Sequence, residues 1–160
     1  MAKKKNLIII SIGLIALLGF VNTAFAFDKL YIVTNQTALD LAKDFITVLN
    51  NESIPMVITM DNFEKIEKEK FIIVLGGAKG PDGVGGFIKQ ILSAEEQKEA
   101  SQADGKIFVK ENIFAQGQSI IVFTGSDEAS AADARKNSRK IWWDCLVEWF
   151  ELDTSAPMAY

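Results

Sequence analysis

The sequence predicts an α/β domain of three layers, and three observations lead there. Short β-rich runs recur along the chain, with stretches of helical period between them. One of these runs, Phe71-Ile72-Ile73-Val74-Leu75, is apolar throughout, the form expected of a central strand covered on both faces. The 134 residues after Ala26 are the size of one ordinary domain, large enough for a core of its own.

Leu30–Thr34 is the first strand, and Asn35-Gln36-Thr37 supplies capping chemistry for a helix over Ala38–Asn50. Leu41, Phe45, Val48 and Leu49 share one face of that helix, with Ala38 and Ala42 beside them, so it should pack on a sheet. Pro55–Thr59 reads as the second strand. Asp61–Lys70 is a short charged stretch with Phe63 and Ile66 three apart, consistent with one or two helical turns. Phe71–Leu75 stops at Gly76-Gly77, and a helix over Gly83–Leu92 follows, with Val84, Phe87, Ile88 and Ile91 spaced to meet the core.

Ser93–Ala103 reads as a further, more exposed helix or a loop, and Asp104-Gly105 as a turn. Lys106–Phe114 alternates through Ile107 and Val109, and Ala115–Gln118 joins it to the apolar run Ser119–Thr124. A short glycine-bearing link between β-rich runs favours a hairpin, so the sheet should be mixed and mostly parallel. After Gly125, Ser126 can cap a long final helix reaching about Leu152, with Asp127 and Glu128 in its first turn. The whole is a Rossmann-like order: residues 27–152 as a single α/β domain with a long C-terminal helix, and 153–160 as a flexible tail.

Residues 1–26 carry an address. Lys3, Lys4 and Lys5 precede an apolar run from Leu7 to Val21, and Ala24-Phe25-Ala26 places small residues three and one positions before a cut after Ala26, the pattern of a secretory signal peptide. A 15-residue apolar core covers only about 22 Å of a hydrocarbon layer about 30 Å thick. The competing reading is an uncleaved N-terminal membrane anchor, and both place Phe27 onward outside the membrane, secreted or at the cell surface.

Composition then narrows the chemistry. Residues 1–26 contain three lysines and no acid, so their removal takes the formal charge from -4 to -7. An acidic exported domain is a poor partner for nucleic acid, and membrane contact is expected only through an uncleaved N-terminal segment. The chain has no histidine, which excludes Ser-His-Asp and Cys-His catalysis and histidine metal sites. Cys145 is the single cysteine, so neither an internal disulfide nor a cysteine metal cluster can form, and its neighbours Trp142, Trp143, Leu146 and Trp149 suit a buried, inert thiol. No catalytic residue, metal or cofactor is expected.

Two segments are candidate sites. Gly76, Gly77, Lys79, Gly80 and Gly83 lie where a central strand gives way to a helix, a position that suits capture of a small anion or glycan. The spacing matches neither the phosphate loop nor the dinucleotide fingerprint, and the same glycines also suit a tight turn packed on the sheet. An open pocket with several free amides and an inward Lys79 would favour that capture. On the last helix, Trp142, Leu146 and Trp149 share one face and Trp143, Val147 and Phe150 an adjacent one; the first reads as core and the second as an interface with another subunit. The acidic group Asp127, Glu128 and Asp133, with Arg135 nearby, reads as helix-end electrostatics. Asn35-Gln36-Thr37 and Asn51-Glu52-Ser53 have the form of glycosylation acceptors.

From Phe71 to about Lys140 the order of motifs resembles the α/β domain of archaeal surface-layer (S-layer) proteins. The residues carrying the resemblance are Val74-Leu75-Gly76-Gly77 ending a strand, the Val84–Leu92 helix, Gly105–Asn112, Gly117–Gly125, and Ala132-Asp133-Ala134-Arg135 on the last helix. Ala78 stands where the family has proline and Ala134 where it has threonine, and residues 125–133 make a longer stretch than the family's. The resemblance covers about half of residues 27–160 and implies a structural, non-enzymatic role. The expectation is an exported cell-envelope protein, a structural or accessory module whose partners are other envelope proteins or itself.

Overall fold

The computed structural model describes residues 28–80 and 83–155. Five strands form one sheet: β1 (Leu30–Thr34), β2 (Met56–Thr59), β3 (Phe71–Leu75), β4 (Lys106–Glu111) and β5 (Ser119–Thr124). Their order is β2-β1-β3-β5-β4. β2, β1, β3 and β5 run parallel, while β4 runs antiparallel to β5 from Lys106 opposite Thr124 to Glu111 opposite Ser119, the hairpin expected from the link at Gly117. The N-terminal segment 1–26 and the tail residues 156–160 lie outside the described residues.

The period-2 pattern decides which residues meet which layer. On one face Phe71, Ile73 and Leu75 of β3 join Leu30, Ile32, Ile121 and Phe123 beneath the helices α1 (Gln36–Leu41), α2 (Lys43–Asn51), α5 (Glu128–Asn137) and α6 (Arg139–Phe150). On the other, Ile72 and Val74 join Val33, Ile120 and Val122 beneath α3 (Val84–Ile91), with Ala100 of α4 (Ala94–Gln102) closing that side. Every residue of β3 is buried, as a continuous apolar run requires. Ser93 and Glu96 make a reciprocal capping box, which is why residues 94–102 form a helix. Only a 3-10 turn, Phe63–Lys65, forms in the charged stretch before β3.

Two helices drawn as continuous from the sequence are broken. Near Ala42 the chain tightens, with Ala42 N–H donating to Leu39 O at 3.0 Å. The break turns Leu41 off the packing face to 41% exposure, and Ala38, Ala42, Phe45 and Leu49 form that face instead. At Ser138 the long final helix divides into α5 and α6. The Ser138 hydroxyl donates to Ala134 O at 2.5 Å, a back-bond that bends helices, and the Trp142 indole N–H takes the Arg135 carbonyl at 3.0 Å. The cap of α5 is Asp127, whose carboxylate accepts Ser130 N–H at 2.8 Å, and not Ser126. α6 ends where Glu151 adopts a left-handed conformation (φ 50°), turning Leu152 back against the core.

Candidate functional site

In a doubly wound sheet the ligand crevice opens where the chain changes direction, here between the C-terminal ends of β1 and β3. Asn35 closes it. Its side chain is 1% exposed, accepts Ala38 N–H at 2.9 Å and donates to Glu128 Oε1 at 3.0 Å, tying the start of α1 to the start of α5.

The glycine turn beside it is packed against its neighbours. Gly76 N–H donates to Phe123 O, Ala78 N–H to Gly125 O and Gly80 N–H to Gly77 O, at 3.2, 2.9 and 2.8 Å. A Cβ on Gly76 would stand 2.7 Å from Val84 Cγ1, and one on Gly77 2.7 Å from Asp127 Cα. These glycines let α3 and the start of α5 close on the sheet. Gly83 is exposed with φ +83° and begins α3. The amides of Gly76, Ala78 and Gly80 are therefore committed within the fold, and Lys79 is exposed in a surface hollow shared with Lys89 of α3 and Lys98 of α4.

The aromatic residues of α6 divide differently from the two expected stripes. Trp142, Trp143 and Leu146 are buried, at 3%, 8% and 0% exposure, so Trp143 is a core residue and is withdrawn as an interface candidate. Val147 and Phe150 keep partial exposure, as does Trp149, which stacks on Phe71 with ring centres 4.9 Å apart. These rings, with Glu52, Glu111, Glu148 and Glu151, line a groove of about 650 Å³ at the N-terminal ends of the strands. Cys145 also faces it and is half-buried. Burial, followed by the nearby Glu148, Asp144 and Glu111 carboxylates, pushes its thiol up from the ordinary value, which disfavours the nucleophilic thiolate.

The acidic candidates do not converge. Asp127 caps α5, Glu128 holds Asn35, Asp133 is exposed, and Arg135 pairs with Asp44 of α2 at 2.7 Å. Asn35 is too buried for the folded chain to present it for glycosylation, whereas Asn51 is exposed.

The two edges of the sheet carry a feature that composition alone did not single out. β4 bears Lys106 and Lys110, each paired with a glutamate of α4, Lys106 with Glu99 at 2.6 Å and Lys110 with Glu96 at 2.8 Å. β2, at the opposite edge, has no charged residue in Met56-Val57-Ile58-Thr59, and Val57 and Ile58 are 37% and 39% exposed. Leu30 N–H takes the Pro55 carbonyl at 2.8 Å, so by strand alternation Val57 and Thr59 bond toward β1. The N–H and C=O of Met56 and Ile58 then face outward along an open edge. The uncharged run Met56-Val57-Ile58-Thr59 directly after Pro55, three of its four residues β-branched, was the available signal.

Comparison with known proteins returned no matching family model and no matching curated protein. Among the described residues, no group of three or more His, Cys, Asp or Glu is placed to hold a metal ion, and no helix is long and apolar enough to cross a membrane.

Proposed function

We propose that this protein is an exported accessory module of the cell envelope that acts through protein contacts, pairing its β2 edge with the β2 edge of a second copy. The observation that carries the reading is the open, uncharged edge with Val57 and Ile58 exposed on it. Main-chain pairing at such an edge joins two sheets, and the side chains on either face add apolar burial.

A two-fold axis at Val57 sets Val57 of the two copies opposite one another and Met56 of each copy opposite Ile58 of the other, so the outward N–H and C=O groups of Met56 and Ile58 pair across the seam. The contact is self-complementary, as an isologous interface must be. Each hydrogen bond across it would contribute about 1 kcal/mol net, so a four-residue strand supports a reversible dimer. The lysines on β4 leave that edge unsuited to the same pairing, and assembly stops at two copies and ten strands. The export pattern of residues 1–26 and the resemblance of residues 71–140 to a surface-layer domain support a structural role outside the cytosol, and the lack of histidine agrees with a role that is not enzymatic.

Light scattering on residues 27–160 across a concentration series tests this. A mass rising toward the dimer, abolished by Ile58→Lys, supports the reading; a strict monomer at the highest concentration overturns it.

A further inference from the structure

We infer that the groove between α2 and the α5–α6 junction binds a small acidic sugar of the uronate type, held by its carboxylate at the junction and by its hydroxyls along α2. The groove measures about 470 Å³ and lies on the helical layer, away from β2, so the inference stands independently of edge pairing.

Its charge runs against that of the chain. Arg135 and Lys136 from the last turn of α5 and Arg139 from the first turn of α6 line it with one carboxylate, Asp44, in a protein of formal charge -4. The break at Ser138 sets the last turn of α5 against the first turn of α6 and brings these three cations to one groove.

Arg135 is the built part of the site. It is 3% exposed, with Nη2 on Asp44 Oδ1 at 2.7 Å and on Leu41 O at 3.4 Å, and its guanidinium lies 5.5 Å from the centre of the Phe45 ring. Its Nε is buried and has no hydrogen-bond partner. A buried cation with an unused donor favours further negative charge in the groove above it. The Asp44 side chain is 62% exposed, so an incoming carboxylate can displace it at little desolvation cost. Along α2, Thr47 Oγ1 donates to Lys43 O and keeps its lone pairs, and Asn51 is exposed beside it. Hydroxyl-bearing ligands match that wall, and a bare oxyanion does not use it.

The test follows the indole N–H of Trp142, which floors the groove and donates to Arg135 O, by NMR during titration of residues 27–160 with glucuronate, glucose and inorganic phosphate. Glucuronate should shift it saturably, phosphate should bind at least about tenfold more weakly, and glucose should leave it unmoved. Lys136 is exposed, so Lys136→Glu should keep the fold and weaken glucuronate about tenfold or more, while Asp44→Asn should tighten it by removing the competing carboxylate. No saturable shift with glucuronate, or unchanged affinity in Lys136→Glu, would overturn the site. Equal binding of phosphate and glucuronate would overturn its assignment to a sugar.

Discussion

Asn35 Nδ2 donates to Glu128 Oε1 at 3.0 Å, joining residues 93 positions apart across the point where β1 and β3 diverge. The bond fills the crevice in which such sheets commonly hold a ligand, and the same Asn35 caps α1 through its other side-chain atom. Asn35→Ala removes both at a position 1% exposed and leaves a partly buried Glu128 oxygen without this donor. We expect a loss of about 2 kcal/mol, read from urea midpoints at unchanged slope. Asn35→Asp keeps the cap but sets a second carboxylate beside Glu128, so its deficit should be larger at neutral pH than near pH 4.

Glycine has opposite roles at two nearby positions. Gly77→Ala would drive a Cβ to 2.7 Å from Asp127 Cα, a backbone atom that cannot step aside, and should destabilise by about 2 kcal/mol. Gly86 lies within α3, exposed, with nothing within 4 Å of a Cβ, and Gly86→Ala should stabilise by about 0.5–1 kcal/mol through helix propensity. Thermal melts of the two variants check both signs together.

Glu96 links α4 to the β4 edge, its two oxygens 2.8 and 2.9 Å from Lys110 Nζ. That hydrogen bond, reinforced by Ser93, holds its carboxyl below the usual range against an opposing contribution from burial. A folded-state pKa below the unfolded one contributes stability above the unfolded value and loses it as pH falls through the folded value. Glu96→Gln can keep the capping bond to Ser93 while losing the charge. It should be less stable than the parent by up to about 1 kcal/mol at pH 7, with the gap closing below about pH 4.3. Melting temperatures from pH 7 to pH 3 check this.

Elements whose pattern is local were legible in the sequence. The buried strand Phe71–Leu75 and the hairpin through Gly117 follow from runs of side chains and turn residues, and both formed as expected. The breaks at Ala42 and Ser138 were not legible. Each depends on a partner far along the chain or on a side-chain back-bond: Arg135 reaching the Leu41 carbonyl, and Ser138 turning its hydroxyl onto Ala134. The burial of Trp143 follows from the second break, which changes the direction in which α6 presents its rings. The glycine turn looked like a site because glycine suits both an open phosphate cradle and a tight packing point, and only the positions of Val84 and Asp127 distinguish the two.

The pairing of β2 edges makes its sharpest statement at one amide. Ile58 N–H faces outward in the monomer and inward in the proposed dimer, while Val57 N–H bonds toward β1 in both. Hydrogen exchange of residues 27–160, compared between about 10 μM and about 1 mM protein, should show protection at Ile58 rising with concentration and further with added salt, which screens repulsion between acidic copies. Protection at Val57 should change much less. Exchange at Ile58 that is fast and independent of concentration would contradict the account.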